Sequence, residues 1–269
     1  MRPSVAERLG RVLIVAGSDS GGGAGVQADI KTVTALGGYA ASAITAVTVQ
    51  NTLGVTAIHL IPPGLVEAQA RTVLDDIGAD AIKIGMLGDA AQAVSRVLDD
   101  WPGIPVVVDP VMVAKDGTAL ADAGAIAALK TLFLPRAALL TPNAPEAAAL
   151  TGLAVESTDD LRRAGEALLV AGCRAVLMKG GHIPGDAVVD VLMSGAGETT
   201  FEGPRIASRH THGTGCTLAS ACAVGLAQGL LLETAVAKAW AYTAEAIRRA
   251  PGLGRGVGPL DHGWPLRRG

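Results

Sequence analysis

The chain has 269 residues, 49% of them hydrophobic and 17% charged, with a formal net charge of -3. That is ample apolar surface for one large domain, while slight acidity and 3% aromatic residues exclude the basic stripe and stacking platforms of a nucleic-acid binder. The three cysteines, Cys173, Cys216 and Cys222, form no CxxC pair, and their odd number excludes a complete disulfide framework.

Residues 1–11 read as a polar N-terminal extension, and the apolar run after them is too short for a signal-peptide core. That run predicts a strand at 12–16, and the next stretch a helix at 25–36. Strands are expected at 43–49 and 56–60, a helix at 65–77, a strand at 81–84 and a helix at 90–99. A strand at 106–108, a helix at 123–132, a strand at 138–140, helices at 145–150 and 158–171 and a strand at 175–178 continue the series. Two β-like runs flank 194–197 and predict a hairpin within 188–201. Helices at 217–226 and 233–250 complete the pattern, followed by a tail at 263–269. The stretch 216–232 is nearly free of charge and approaches spanning length. It is rich in Ala, Gly and small polar residues and stands alone, so a buried helix is expected, with no membrane partner and a cytoplasmic location.

Strands that read as solid apolar runs are buried on both faces. Their alternation with helices predicts a mainly parallel sheet between helical layers, in one domain over 12–262. In such sheets ligands sit beyond the carboxyl ends of the strands. Polar groups and glycines collect there: GSDSGGGAG at 17–25, Gln50-Asn51, Gly85-Met86, Asp109-Pro110-Val111-Met112, Thr141-Pro142-Asn143 and Lys179-Gly180-Gly181-His182.

Four groups of residues carry chemistry. GAGVQA at 23–28 matches a dinucleotide fingerprint, yet the loop before it is too long and no Asp or Glu occurs between Asp29 and Glu67. A loop whose backbone closes over a small ligand is the better reading, with a plain turn as its alternative. HGTGC at 212–216 precedes an apolar helix, so glycine-bent backbone and the helix N-terminus form an anion hole for phosphate oxygens. Cys216 stands at that helix start, where a thiol pKa tends to fall, and is the candidate base; the bland alternative is a small buried cysteine. Asp109, with Asn143 and Glu146, suits Mg²⁺ held directly or through water, although Asn-x-x-Glu is also an ordinary helix cap. Lys179, ending a buried strand, could reach a phosphate or lie in solvent. The histidines lack zinc-ligand spacing.

GSDSGGGAGVQADIK, ITAVTVQNTLGV, KIGMLGD, VVVDPVMVAKDG, LLTPNAPEAAAL, VLMKGGH and HGTGCTLASA occur in that order. Together they closely resemble the hydroxymethylpyrimidine/phosphomethylpyrimidine kinase family of thiamine biosynthesis, within the ribokinase-like superfamily. The resemblance runs from about Val12 to His262. It implies a three-layer αβα sandwich and two successive ATP-dependent phosphorylations of 4-amino-5-hydroxymethyl-2-methylpyrimidine, first to the monophosphate and then to the diphosphate. It also implies a homodimer. By resemblance Cys216 is the base, and Gln50, Met86, Val111, Asp29 and Gly17 belong to the pyrimidine pocket. Lys179, Asn143, Thr141, Gly213, Thr214 and Gly215 belong to the ATP side, and Asp109 and Glu146 to Mg²⁺. Independently, a Gln amide complements an amine beside a ring nitrogen, as it does on adenine, which favours Gln50 as reader of an aminopyrimidine. Ser20 departs from the family, which often has proline there, and a looser loop is expected. Pyridoxal kinase is the alternative enzyme, and a non-catalytic pyrimidine- or nucleotide-binding protein the alternative outside catalysis.

Overall fold

The computed structural model describes residues 9–113, 117, 120 and 122–267. The first eight residues of the expected N-terminal extension, the last two of the tail, and 114–116 of the VVVDPVMVAKDG motif lie outside them.

The chain runs β1 (Arg11–Asp19), α1 (Gly25–Ala35), β2 (Tyr39–Asn51), β3 (Gly54–Leu60), α2 (Pro63–Asp76), β4 (Ala81–Ile84), α3 (Ala91–Asp100) and β5 (Val106–Val108). It continues with α4 (Ala123–Ala128), β6 (Ala137–Leu140), α5 (Ala144–Thr151), α6 (Thr158–Val170) and β7 (Ala175–Met178). The hairpin β8 (Ala187–Ser194) and β9 (Gly197–Pro204) and the helices α7 (Thr214–Ala227) and α8 (Leu232–Arg248) follow. Among the described residues one sheet has the order β3-β2-β1-β4-β5-β6-β7-β8-β9. The strands from β2 to β7 are parallel; β3, β8 and β9 run antiparallel to their neighbours. The architecture is the mainly parallel sheet between helical layers expected from the alternating pattern.

Each central strand feeds two cores, because successive side chains point to opposite faces. Leu13 and Val15 join a cluster with Val66, Leu74, Val94, Leu98, Leu150, Leu161 and Leu168 from α2, α3, α5 and α6. Val12, Ile14 and Ala16 join the other, with Val26, Val33, Leu218, Cys222, Val224, Val236 and Tyr242 from α1, α7 and α8. Truncating a fully buried leucine such as Leu13 to alanine is worth roughly 2–5 kcal/mol at sites of this kind.

The uncharged stretch 216–232 is not one helix. α7 ends at Ala227, and Gly229 takes a positive φ of 84° before α8 begins at Leu232. α7 is buried nearly all round, and its small residues admit close neighbours: a Cβ on Gly225 would stand 2.9 Å from the Ala235 Cβ. No helix among the described residues is long and apolar enough to cross a membrane.

β1 is followed by β2 on one side of it and, later in the chain, β4 on the other. The strand order reverses there, which opens a crevice at the carboxyl edge.

Candidate active site

A cleft of about 1030 Å³ lies along that edge. It is lined by Gly17 and Asp19 at the end of β1, Gln50 from β2, Met86 after β4, Asp109 and Val111 after β5, Asn143 and Glu146 at the start of α5, Lys179 after β7, and residues 212–216. The structure thus brings together twelve of the fourteen residues expected at the site. Asp29 and Thr141 are not among the lining residues. Asp29 is wholly buried behind the wall, where its carboxylate takes Lys83 Nζ at 2.8 Å and the Ser220 hydroxyl at 2.6 Å. Thr141 is buried beneath Asp109 and donates from Oγ1 to Asp109 Oδ1 at 3.1 Å.

The anion-hole segment turns at Gly213, whose φ is 84° and where a Cβ would stand 1.8 Å from the Gly23 carbonyl oxygen. No side chain fits there, so glycine is required. α7 starts at Thr214, and its first-turn amides, Gly215 and Cys216 included, have no intrahelical acceptor. Cys216, third in α7, lines the cleft. Its expected low pKa is not realised: burial pushes the thiol up to about 12, while Lys83 pulls the other way.

Lys83 escapes a motif search because it sits inside the apolar strand AIKI. Its side chain points toward α1 and α7, fully buried, and reaches the cleft wall. Burial disfavours its charge, but Asp29, then Cys216 and Asp109, outweigh burial and hold it ionised.

At one end of the cleft Lys179 Nζ lies 3.1 Å from Asp109 Oδ1 and 3.8 Å from Glu146 Oε2. Burial lowers the Lys179 pKa, and the two carboxylates more than offset it. Burial pushes Glu146 up to about 7, against the pull of Lys179 and with the help of Asp109. Asn143 and Glu146 also form a capping box: the Asn143 N–H donates to Glu146 Oε2 at 2.8 Å, and the Glu146 N–H to Asn143 Oδ1 at 2.9 Å. Capping and cleft lining are therefore the same geometry, with one Glu146 oxygen serving the backbone. No cluster of three metal-ligating side chains occurs among the described residues.

At the other end the glycine loop is tied down through Asp19. Its oxygens accept the N–H groups of Gly21 (2.8 Å), Gly23 (3.0 Å) and Ala24 (2.8 Å), and His212 Nε2 lies 2.8 Å away. Burial raises the Asp19 pKa, but these hydrogen bonds prevail and hold it below its ordinary value. A Cβ on Gly23 would come within 2.4 Å of His212 Cδ2, so glycine lets the loop lie against that ring. Ser20 does not loosen the loop: its hydroxyl donates to the Gln50 carbonyl at 2.7 Å and accepts the Gln50 N–H at 2.9 Å. Asp19 and His212 lie within the GSDSGGGAG and HGTGC motifs, where the sequence carries no separate site signal for either.

A helix-start amide nest, the buried Lys83, the half-buried Lys179 and paired carboxylates in one cleft of a mainly parallel sheet define a kinase of small molecules. Comparison makes this specific. The sequence model of the family described as Phosphomethylpyrimidine kinase matches residues 19–261, and the chain belongs to that family. The chain is 51% identical to a hydroxymethylpyrimidine/phosphomethylpyrimidine kinase of Streptomyces coelicolor, covering 95% of each. It is also 51% identical to a thiamine biosynthesis bifunctional protein of Geobacter sulfurreducens, with 94% of this chain matching 52% of that one, so it spans about half that relative's length. Among solved structures, a phosphomethylpyrimidine kinase from Clostridium difficile matches with a TM-score of 0.79 and 39% identity, over 88% of this chain and 99% of that chain. An ADP complex of Bacillus subtilis pyridoxal kinase matches with a TM-score of 0.88 and 32% identity, over 94% and 97%.

Proposed function

We propose that the chain transfers the γ-phosphoryl group of ATP to 4-amino-5-hydroxymethyl-2-methylpyrimidine and then to its monophosphate, supplying the diphosphate to thiamine biosynthesis. The observation that carries this reading is the meeting of Cys216, the first-turn amides of α7, Lys179 and Gln50 in one cleft. The names of the relatives support it. The chain's match to an ADP-bound kinase supports ATP as donor.

In this reading the substrate hydroxyl attacks the γ-phosphorus, ADP leaves, and the hydroxyl proton passes to Cys216 in its thiolate form, which becomes the neutral thiol. Phosphoryl transfer has a loose transition state in which positioning and charge stabilisation dominate. The amides of Gly215 and Cys216 then serve the transferring oxygens, and Lys179 meets phosphate as a point charge. Lys83 opposes the burial that keeps the thiol neutral. Asp109 and Glu146 offer hard oxygen donors around a single ammonium, a set that suits Mg²⁺ directly or through water. When bound, Mg²⁺ neutralises phosphate charge.

The same reading takes 12–262 as one kinase domain in the cytoplasm. It includes a homodimer, for which Val47 and Val49, 44% and 59% exposed and paired with His59 and Ala57 on β3, offer an uncovered face.

Incubating the purified chain with Mg·ATP and the hydroxymethylpyrimidine, with products followed by mass spectrometry, tests the proposal. Monophosphate followed by diphosphate is expected; no ADP release would favour a non-catalytic binder. The pyridoxal kinase match supports a second reading, phosphorylation of pyridoxal. A higher kcat/KM for pyridoxal than for the pyrimidine would put that reading first.

A further inference from the structure

At the ring end of the cleft, donors and acceptors do not match as the nearest atoms stand. His212 Nε2 lies 2.8 Å from Asp19 Oδ2. That oxygen also accepts the N–H groups of Gly23 and Ala24, so Asp19 is an ionised acceptor and Nε2 carries a proton aimed at it. This holds for the neutral ring and for the imidazolium alike. Gln50 Nε2 lies 3.2 Å from the same Nε2, so two N–H donors oppose each other. At the far end of the amide, Gln50 Oε1 is 3.1 Å from Thr48 Oγ1. The Thr48 hydroxyl is 2.9 Å from the Ser18 carbonyl oxygen, which can only accept, so the one hydroxyl proton goes there. Two acceptors then oppose each other. A half-turn of the amide removes both conflicts: Oε1 takes the longer arm of a three-centre bond from the single His212 N–H, whose shorter arm goes to Asp19, and Nε2 donates to Thr48. The two ends of an amide differ little in shape, so the surrounding partners decide which way it lies.

We infer that His212, oriented by Asp19, and Thr48 are specificity-determining residues that hold the Gln50 amide with its carbonyl toward the phosphate loop. The inference rests on the pyrimidine reading above and deepens it. His212 immediately precedes Gly213–Cys216, so the carbonyl end of the amide lies on the transfer side. In the proposed substrate the amino group is on the ring carbon next to the one bearing the hydroxymethyl, and the ring nitrogen is one bond farther away. With the hydroxyl directed at Cys216, the amine faces Gln50 Oε1 and the ring nitrogen faces Nε2. The opposite amide would set donor against donor. The amide is thus fixed in the needed polarity before substrate arrives, and polarity, beyond the presence of a glutamine, selects an aminopyrimidine edge.

The test compares the 4-amino substrate with its 4-oxo analogue, whose carbonyl and ring N–H invert the pattern. The unaltered chain is expected to prefer the amino compound by on the order of 100-fold in kcat/KM, as one bidentate pair allows. Thr48→Val removes the acceptor for Nε2 with little change in shape, and His212→Leu removes the donor for Oε1. Each is expected to cut the preference about tenfold, with KM for the 4-oxo analogue falling as the amide turns. His212→Gln restores an N–H for Asp19 and is expected to restore the preference. A purely structural role would lower kcat for both compounds alike and leave their ratio unmoved. If Thr48→Val and His212→Leu stay within about threefold of the original ratio, the inference falls while the pyrimidine reading stands. An unaltered chain that turns over both compounds equally, or neither, sinks both.

Discussion

At the transfer end of the cleft, Asp109 and Glu146 face a single Lys179 at 3.1 and 3.8 Å. At the ring end, one Asp19 carboxylate is met by three backbone amides and His212. The first cluster is held by charges whose balance is incomplete, and burial pushes Glu146 up to about 7 against the pull of the one ammonium. The second is a set of hydrogen bonds whose only charged acceptor is locally saturated. An incomplete balance leaves room for a cation and phosphates. A saturated network leaves no charge to contribute and reads shape and polarity instead. The comparison therefore predicts different kinetic signatures for substitutions at the two ends.

The largest effect is expected at their junction. Cys216→Ala removes the proton acceptor without touching either cluster, and kcat should fall about 10³-fold, within the range for general bases. KM for ATP should barely move. Steady-state kinetics with both substrates varied check this, and an unchanged kcat removes Cys216 from its proposed role. Lys179→Met comes next. It deletes the one cation between Asp109 and Glu146, and kcat/KM for ATP should fall about 10²-fold, with KM for the pyrimidine nearly constant. An equal loss on both substrates would mean that the ends are not separate.

How much of this contrast could be read in advance follows from where each residue lies. The central strands were legible because apolar runs such as VVV at 106–108 admit little else when both faces are buried. β1 nevertheless extends to Asp19, past the expected end at 16, because Ser18 and Asp19 pair with Val47 and Thr48 on β2. Such pairing uses backbone and leaves no trace in hydropathy. α7 starts at Thr214, ahead of the expected 217, since its first turn is glycine-rich and reads as loop. The transfer end was legible because its carboxylates, lysine and glycines stand at strand ends. Lys83 was hidden inside an apolar strand, with its partner Asp29 on α1 and Asp29's second partner, Ser220, on α7. The ring-end network was hidden for the same reason: Asp19 and His212 are 193 residues apart, and no local pattern joins them.

The smallest of these effects tests the incomplete charge balance most directly. Burial holds the Glu146 pKa at about 7, so near neutral pH the carboxyl is partly protonated. A raised carboxyl pKa means that the charged form is gained only as pH rises through that value. Metal-nucleotide binding needs the charged form, so apparent affinity should fall as pH drops below about 7, by up to tenfold for each further pH unit. Protons should be released on binding, because a bound dication pulls the pKa back down. Glu146→Gln keeps the shape and most of the capping contact but removes the titration. It should weaken Mg·ATP about tenfold at alkaline pH, roughly one lost charge-assisted contact, and flatten the acid limb. Isothermal titration in buffers of different ionisation enthalpy reads both quantities. If the pH dependence survives in Glu146→Gln, the titrating group lies elsewhere in the cleft, and Asp190, which burial pushes up to about 6, is the next carboxyl to vary.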